Sequence, residues 1–137
     1  MAGDRVIWFD RGHYPTYIGF CPSAKAWRRE MRKLQVLDEP YPQTDAKCTR
    51  FETGDKTVVL ITMSERLDDG CPIGRAALLV HEAVHAWQYV REDIGQTGRE
   101  GKEIEAYAIQ YLTMKVLDAY QKTRLISSSA LARVSPA

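Results

Sequence analysis

Residues 72 to 91 read PIGRAALLVHEAVHAWQYVR, and this stretch decides both the fold and the expected chemistry. A proline suited to a first helical turn, Pro72, and a glycine soon after the end, Gly95, are typical helix boundaries. The apolar residues between them recur at the spacing of one broad helical face. The segment therefore predicts an amphipathic helix. Its apolar face is formed by Leu79, Val80, Ala83, Val84, Ala86, Trp87 and Val90.

The same segment carries an HExxH motif, His81-Glu82-Ala83-Val84-His85. On a helix, His81 and His85 lie about 40° apart on one face, so both imidazoles can reach one metal ion. Glu82 lies about 60° round from His85, where it can address a water molecule on that metal but is poorly placed as a ligand. The histidines project away from the apolar face, so packing does not explain them. The motif predicts a hydrolytic zinc site.

The length and charge of the chain suit one domain. Its 137 residues predict a single domain over residues 1–126, followed by a flexible tail at 127–137 rich in Ser and Ala. Lys and Arg total 19 against 18 Asp and Glu, so no overall charge favours nucleic acid or a membrane surface as a partner. The N-terminus lacks the apolar core of a secretory signal, and no apolar run is long enough to span a bilayer. These features predict a cytoplasmic protein.

The cysteines are odd in number, widely spaced and without a C-x-x-C pair. Cys21, Cys48 and Cys71 are therefore expected to be free thiols in a reducing compartment. Each is more simply a buried small side chain than a zinc ligand.

Short β-branched and aromatic runs predict the strands. Residues 6–9 and 17–20 read as a strand pair or as loosely extended segments. Residues 47–52 and 57–63 read as a hairpin joined near Gly54, and the second of these runs is the strongest strand signal in the chain.

Two further helices complete the predicted fold. One begins after the N-cap Ser23 and ends at Leu34, and the other runs from about Glu103 to Arg124. We therefore expect an α+β fold, with a short mixed or antiparallel sheet packed on the HExxH helix and on the C-terminal helix. The helix after Ser23 is an additional N-terminal element.

A catalytic zinc site needs a third protein ligand besides the two histidines. In the extended motif H-E-x-x-H-x-x-G-x-x-H, this chain has Gln88 at the glycine and Arg91 at the last histidine, so that pattern is excluded. The remaining candidates are His13, the cysteines and a carboxylate further along the chain.

The last helix offers Glu103 and Glu105. Glu105 lies in line with the apolar stripe that must pack inward, whereas Glu103 lies about 160° away. A carboxylate at an inward position needs a partner, which is either a zinc ion held by the preceding helix or an arginine such as Arg75. We favour Glu105 as the third ligand and keep Glu103 as the alternative.

The chain resembles a known family. The HExxH motif, followed by a loop and Glu103-Ile104-Glu105-Ala106-Tyr107, is similar to the zincin metallopeptidases of the gluzincin type, in which a glutamate on a second helix completes the site. The size is similar to that of minimal gluzincins and of small zincin-like proteins of bacteria and phages. The resemblance covers about residues 57 to 120. It implies that the strand at 57–63 is the edge strand above the cleft, along which an extended peptide lies.

These features predict a zinc-dependent hydrolase, most simply a metallopeptidase acting on a protein or peptide. Zinc on His81, His85 and Glu105 would lower the pKa of bound water to roughly 7. Glu82 would act as general base. A second group is also expected to stabilise the negative charge that develops on the substrate carbonyl oxygen. Its candidates are Tyr107, Tyr111, Tyr89 and His13.

Two other functions fit the same residues. One is a zincin-like binding or structural protein whose metal stabilises the fold without turnover. The other is a toxin-like or regulatory protease with one specific protein target. Glu82 favours catalysis, since a structural site needs no general base, although it could instead accept a hydrogen bond from a metal ligand and orient it.

Overall fold

The computed structural model of the chain describes residues 2–12, 14–36, 39–65, 72–95 and 101–134, the last eleven of them by their backbone alone. Within these residues, four strands and three helices follow a short 3-10 turn at Ala2–Asp4. The strands are β1 (Ile7–Trp8), β2 (Thr16–Cys21), β3 (Ala46–Thr53) and β4 (Lys56–Met63), and the helices are α1 (Ala24–Leu34), α2 (Pro72–Ile94) and α3 (Lys102–Val134).

The four strands form one mixed sheet in the order β1-β2-β4-β3. β2 pairs with β4 in parallel, while β1 pairs with β2 and β3 pairs with β4 in antiparallel fashion. The hairpin between β3 and β4 turns at Gly54, whose φ of 59° lies in the left-handed region that favours glycine. The predicted α+β class, the N-terminal strand pair and the hairpin are confirmed.

β4 is a central strand, so the edge position that the family resemblance implied for residues 57–63 is wrong. Its residues from Val58 to Met63 are buried without alternation. Such a continuous apolar run is typical of a strand covered on both faces. The edge strand beside α2 is β3, which carries the charged residues Lys47, Arg50 and Glu52, as exposed edge strands commonly do.

Helices cover the two faces of the sheet. On one face, Val58 and Leu60 of β4 pack with Trp27 and Met31 of α1. This helix begins at the predicted N-cap, where the Ser23 side chain accepts a hydrogen bond from the Ala26 backbone amide at 3.1 Å.

On the other face, alternate residues of β4 pack against α2 and α3 together. Val59, Ile61 and Met63 point to this side. The apolar stripe of α2 meets that of α3, so the two helices form a layer beneath the sheet. The contacting residues include Leu79, Ala83, Ala86 and Val90 from α2 and Ala108, Leu112, Val116 and Ala119 from α3.

α3 continues to Val134, past Arg124, where the sequence pattern predicts its end. Ala130, Leu131 and Ala132 have high helix propensity, and no proline interrupts the chain before Pro136. Residues 127–134 of the expected tail therefore have helical backbone, and residues 135–137 lie outside the described part. Within the described part of the chain, no helix combines the length and the apolar composition needed to cross a bilayer.

Candidate metal centre

The HExxH helix brings its two histidines together. The Nε2 atoms of His81 and His85 are 3.1 Å apart. Their ring centroids are 4.7 Å apart with an interplanar angle of 79°. Both residues are exposed, because they lie on the face of α2 opposite the buried stripe.

This separation fits two ligands of one zinc ion. Zinc binds imidazole nitrogen at about 2.0–2.1 Å, and two such nitrogens at a tetrahedral angle lie about 3.3 Å apart. The observed 3.1 Å is close to that value, and neutral imidazole is a common zinc ligand. The histidine pair therefore suits zinc in both donor chemistry and spacing.

Glu82 lies on the side of α2 that faces the sheet, and it is 6% exposed. Burial raises the pKa of Glu82 above its ordinary value, while the nearby His81 and His85 pull it down. The Glu82 carboxylate also lies near Cys48 of β3. Burial raises the pKa of the Cys48 thiol, and the negative charge of Glu82 raises it further. Glu82 is therefore held between the edge strand and the histidine pair.

A cleft of about 450 Å³ opens beside these residues. One wall is the start of β3 with the residues before it, and the other is the N-terminal half of α2. His81 and Glu82 both line it, so the cleft offers access to the proposed metal and to the carboxylate from the same side. The remaining lining residues are Thr44, Asp45, Ala46, Gly74, Ala77 and Leu78.

Gln88 contacts the histidine pair directly. Its Oε1 atom is 2.8 Å from Nδ1 of His85. From the sequence, Gln88 only excluded the extended zinc motif, and its contact with His85 was not predicted. The spacing of three residues, which places two side chains on the same helical face, was the signal that could have indicated this contact.

Glu105 does not contact the histidines in this structure. Its side chain is 41% exposed, and its Oε2 atom lies 3.7 Å from Nη1 of Arg91. An arginine partner is the alternative expected for Glu105, although the arginine is Arg91 and not Arg75. Glu103 is exposed, and Glu105 is only partly buried, although it was predicted to lie in line with the inward stripe. In the part of the chain that the structure describes, no three His, Cys, Asp or Glu side chains form a group that could hold a metal ion.

Glu82 and the Arg91 partner of Glu105 lie on opposite flanks of α2. Around the helix axis, Glu82 lies about 80° from the middle of the histidine pair on the flank that faces the sheet. Arg91 lies about 100° away on the other flank, where it meets Glu105 of α3. The predicted general base and the predicted third ligand thus lie on separate sides of the histidine pair.

Two of the predicted transition-state stabilisers lie elsewhere. Tyr107 and Tyr111 line a different, largely apolar cavity of about 560 Å³, together with Trp87 and Leu112. The hydroxyl of Tyr111 donates to the backbone carbonyl of Asp10 at 2.6 Å. Neither histidine lines that cavity.

Tyr89 is the described candidate that lies on the flank of Glu82. It is half-buried and follows His85 by one helical turn. The guanidinium of Arg50 from β3 lies 5.7 Å from its ring centroid, so the tyrosine faces the edge strand. His13 lies outside the described residues.

Two of the cysteines are free and buried, as predicted. Burial raises the pKa of Cys21 to about 12, which keeps this thiol protonated at neutral pH. Cys71 lies outside the described residues.

The site can be defined from its own geometry only. No family model, no curated protein and no solved structure matches this chain. Its described residues provide two converging imidazoles, a buried carboxylate beside them and a cleft that reaches both. Imidazole nitrogen is a common zinc ligand, and a carboxylate is a common proton acceptor.

Proposed function

We propose that this chain is a zinc-dependent hydrolase, and specifically a metallopeptidase that cleaves peptide bonds. The observation that carries the proposal is the 3.1 Å separation of the His81 and His85 Nε2 atoms, with the buried Glu82 beside them. His81, His85 and Glu105 would hold the metal. The chemistry that zinc supplies when bound is to acidify water and to stabilise negative charge on oxygen.

Glu82 is the proposed general base. Burial raises the pKa of its carboxyl, so its carboxylate is a stronger base than that of an exposed glutamate. In hydrolysis, Glu82 would take a proton from the attacking water and return it to the nitrogen of the leaving amine. Tyr89 would be the tyrosine that donates a hydrogen bond to the carbonyl oxygen, because it lies on the same flank of α2 as Glu82.

The exposure of the histidines supports a catalytic site over a structural one. Structural zinc sites are closed by four protein ligands, whereas catalytic sites keep one position open. Both histidines are exposed, and His81 lines an open cleft. The metal position is therefore accessible to a substrate.

The edge strand supports an extended peptide as the substrate. β3 has a partner, β4, on one side within the described sheet, and the cleft begins where β3 begins, at Ala46. A peptide can add to such an edge through backbone hydrogen bonds. A chain bound there would pass His81 and Glu82 along the cleft.

The substitution Glu82→Gln tests the proposal, because it preserves shape and removes the base. We expect the variant to bind about one equivalent of zinc, like the parent. Hydrolysis of a panel of unfolded proteins should fall at least about a hundredfold. The matched control is Glu92→Gln, which makes the same change at a side chain on α2 that is 64% exposed. The control should retain activity.

Two results would contradict this proposal. A Glu82→Gln protein as active as the parent would remove the assigned general base. A parent protein that takes up no zinc after reconstitution would remove the metal site altogether.

A further inference from the structure

Gln88 lies on the exposed face of α2, one turn after His85. Its Oε1 atom is 2.8 Å from His85 Nδ1. An amide oxygen can only accept a hydrogen bond, so Nδ1 carries the proton at this contact. A neutral imidazole has a single N–H, and Nε2 of His85 is then left with a free lone pair. We propose that Gln88 is a positioning residue that holds His85 in the tautomer able to bind zinc through Nε2.

The contact also fixes the plane of the ring. Gln88 meets the imidazole at Nδ1, while Nε2 on the far side faces His81 Nε2 at 3.1 Å. If the ring of His85 turned over, Nδ1 would lose its acceptor. Gln88 therefore sets both the protonated nitrogen and the direction of the free lone pair, which points to the proposed metal position.

The two histidines are supported unequally. Within the described residues, no side chain forms a hydrogen bond with Nδ1 of His81, whereas Gln88 does so for His85. Loss of Gln88 removes the acceptor for the Nδ1–H of His85, so the proton of His85 should move to Nε2. Because only one of the two Nε2 atoms can donate across their 3.1 Å contact, the tautomer of His81 should then change as well.

Gln88 contributes little to the fold itself. It is exposed, and a side-chain pair three residues apart on a helix surface has a small effect on helix stability. Variants at this position should therefore fold like the parent. A change in their zinc binding can then be assigned to the hydrogen bond with His85.

The tautomers can be measured without metal, by NMR of protein with ¹⁵N-labelled histidine at a pH where the imidazoles are neutral. We expect the Nδ1–H form of His85 to dominate in the parent and to become the minor form in Gln88→Leu. Gln88→Glu retains an acceptor oxygen and should retain the parent tautomer. The control Gln110→Leu makes the same change on the exposed surface of α3 and should have no effect.

Zinc affinity gives the second measurement, by competition with a chromophoric chelator. Gln88→Leu should bind zinc about tenfold more weakly than the parent, as expected for loss of a group that orients a ligand. Gln88→Glu should bind at least as tightly as the parent, and Gln110→Leu within about twofold of it. Unchanged affinity in Gln88→Leu, or an unchanged His85 tautomer, overturns the proposal.

The expected change in zinc affinity rests on the proposed function, but the hydrolase and the role of Gln88 can be refuted separately. If the tautomer shifts and zinc binding weakens while the parent hydrolyses nothing, the hydrolase is refuted and the role of Gln88 is supported. If hydrolysis depends on Glu82 while Gln88→Leu keeps the parent tautomer, the role of Gln88 alone is refuted.

Discussion

The C-terminal end of α2 is held by buried polar contacts, whereas the histidines nearer its middle are exposed. Asp93, whose side chain is 8% exposed, accepts hydrogen bonds from Arg50 of β3 at 2.7 Å and from the hydroxyl of Thr16 of β2. This anchor, Asp93 with Arg50 and Thr16, ties the helix to two strands. His81 and His85 contact each other and Gln88 at the surface.

This difference separates the residues that stabilise the fold around α2 from the residues that would act on a substrate. Removing a buried charge partner destabilises a protein strongly, while exposed side chains away from the core can change with little effect on stability. Substitutions in the anchor should therefore change the free energy of unfolding, and substitutions in the histidine pair should change metal binding.

Asp93→Ala should give the largest effect on stability. It leaves the half-buried guanidinium of Arg50 without its closest partner, and we expect the free energy of unfolding to fall by about 3 kcal/mol. Urea denaturation of the metal-free protein measures this change. The control Asp118→Ala removes an exposed partner of Lys122 on α3 and should cost about 1 kcal/mol or less. Equal losses in the two variants would show that Asp93 is not an anchor.

His81→Ala should show the opposite pattern. It removes a proposed ligand, so zinc affinity should fall by more than the roughly 100-fold that loss of a supporting residue can cause. Because His81 is exposed, the free energy of unfolding of the metal-free protein should change by less than about 0.5 kcal/mol. Chelator competition and urea denaturation on the same samples give both values. Retained zinc binding would exclude His81 as a ligand.

The histidine pair could be predicted from the sequence because one helix determines it. The period of the helix alone sets the directions of His81, Glu82 and His85, and the apolar stripe around Ala83 identifies the face that is buried. The hairpin of β3 and β4 could be predicted for the same reason, because two neighbouring strand-like runs are joined at Gly54.

The features that were missed depend on contacts between distant segments. The order of strands follows from the parallel pairing of Ile18 with Val59, which no local pattern specifies. The continuous apolar run from Val58 to Ile61 was nevertheless a sequence signal for a central strand. The position of Glu105 relative to His85 depends on how α3 is rotated against α2. A rotation equivalent to one residue moves a side chain by about 100°. Spacing along the chain therefore could not determine whether Glu105 reaches the histidines.

Glu105→Gln tests whether Glu105 is the third zinc ligand. If Glu105 is the third ligand, as we propose, the variant should bind zinc at least about tenfold more weakly than the parent, because an amide oxygen is a poorer ligand than a carboxylate. Glu103→Gln makes the same change at an exposed position two residues earlier and should stay within about twofold. Isothermal titration calorimetry with zinc separates the two. A larger loss in Glu103→Gln would assign the ligand to Glu103.

Arg91→Met should produce the smallest effect and the opposite sign. In the structure, Arg91 pairs with Glu105 at 3.7 Å, and the two side chains are 35% and 41% exposed. An ion pair of this kind contributes up to about 1 kcal/mol, so releasing Glu105 from it should tighten zinc binding by at most about fivefold. The gain should shrink in high salt, which already weakens the ion pair.

Two controls separate this competition from a change in net charge. Lys122→Met removes one positive charge from another exposed ion pair on α3 and should leave zinc affinity unchanged. In a Glu105→Gln background, Arg91→Met should also have no effect, because the carboxylate for which arginine and metal compete is gone. If Arg91→Met tightens zinc binding equally with and without Glu105, the effect is electrostatic and the two flanks of α2 are independent. If the gain requires Glu105, then α3 supplies a ligand that Arg91 holds away from the histidines until metal binds.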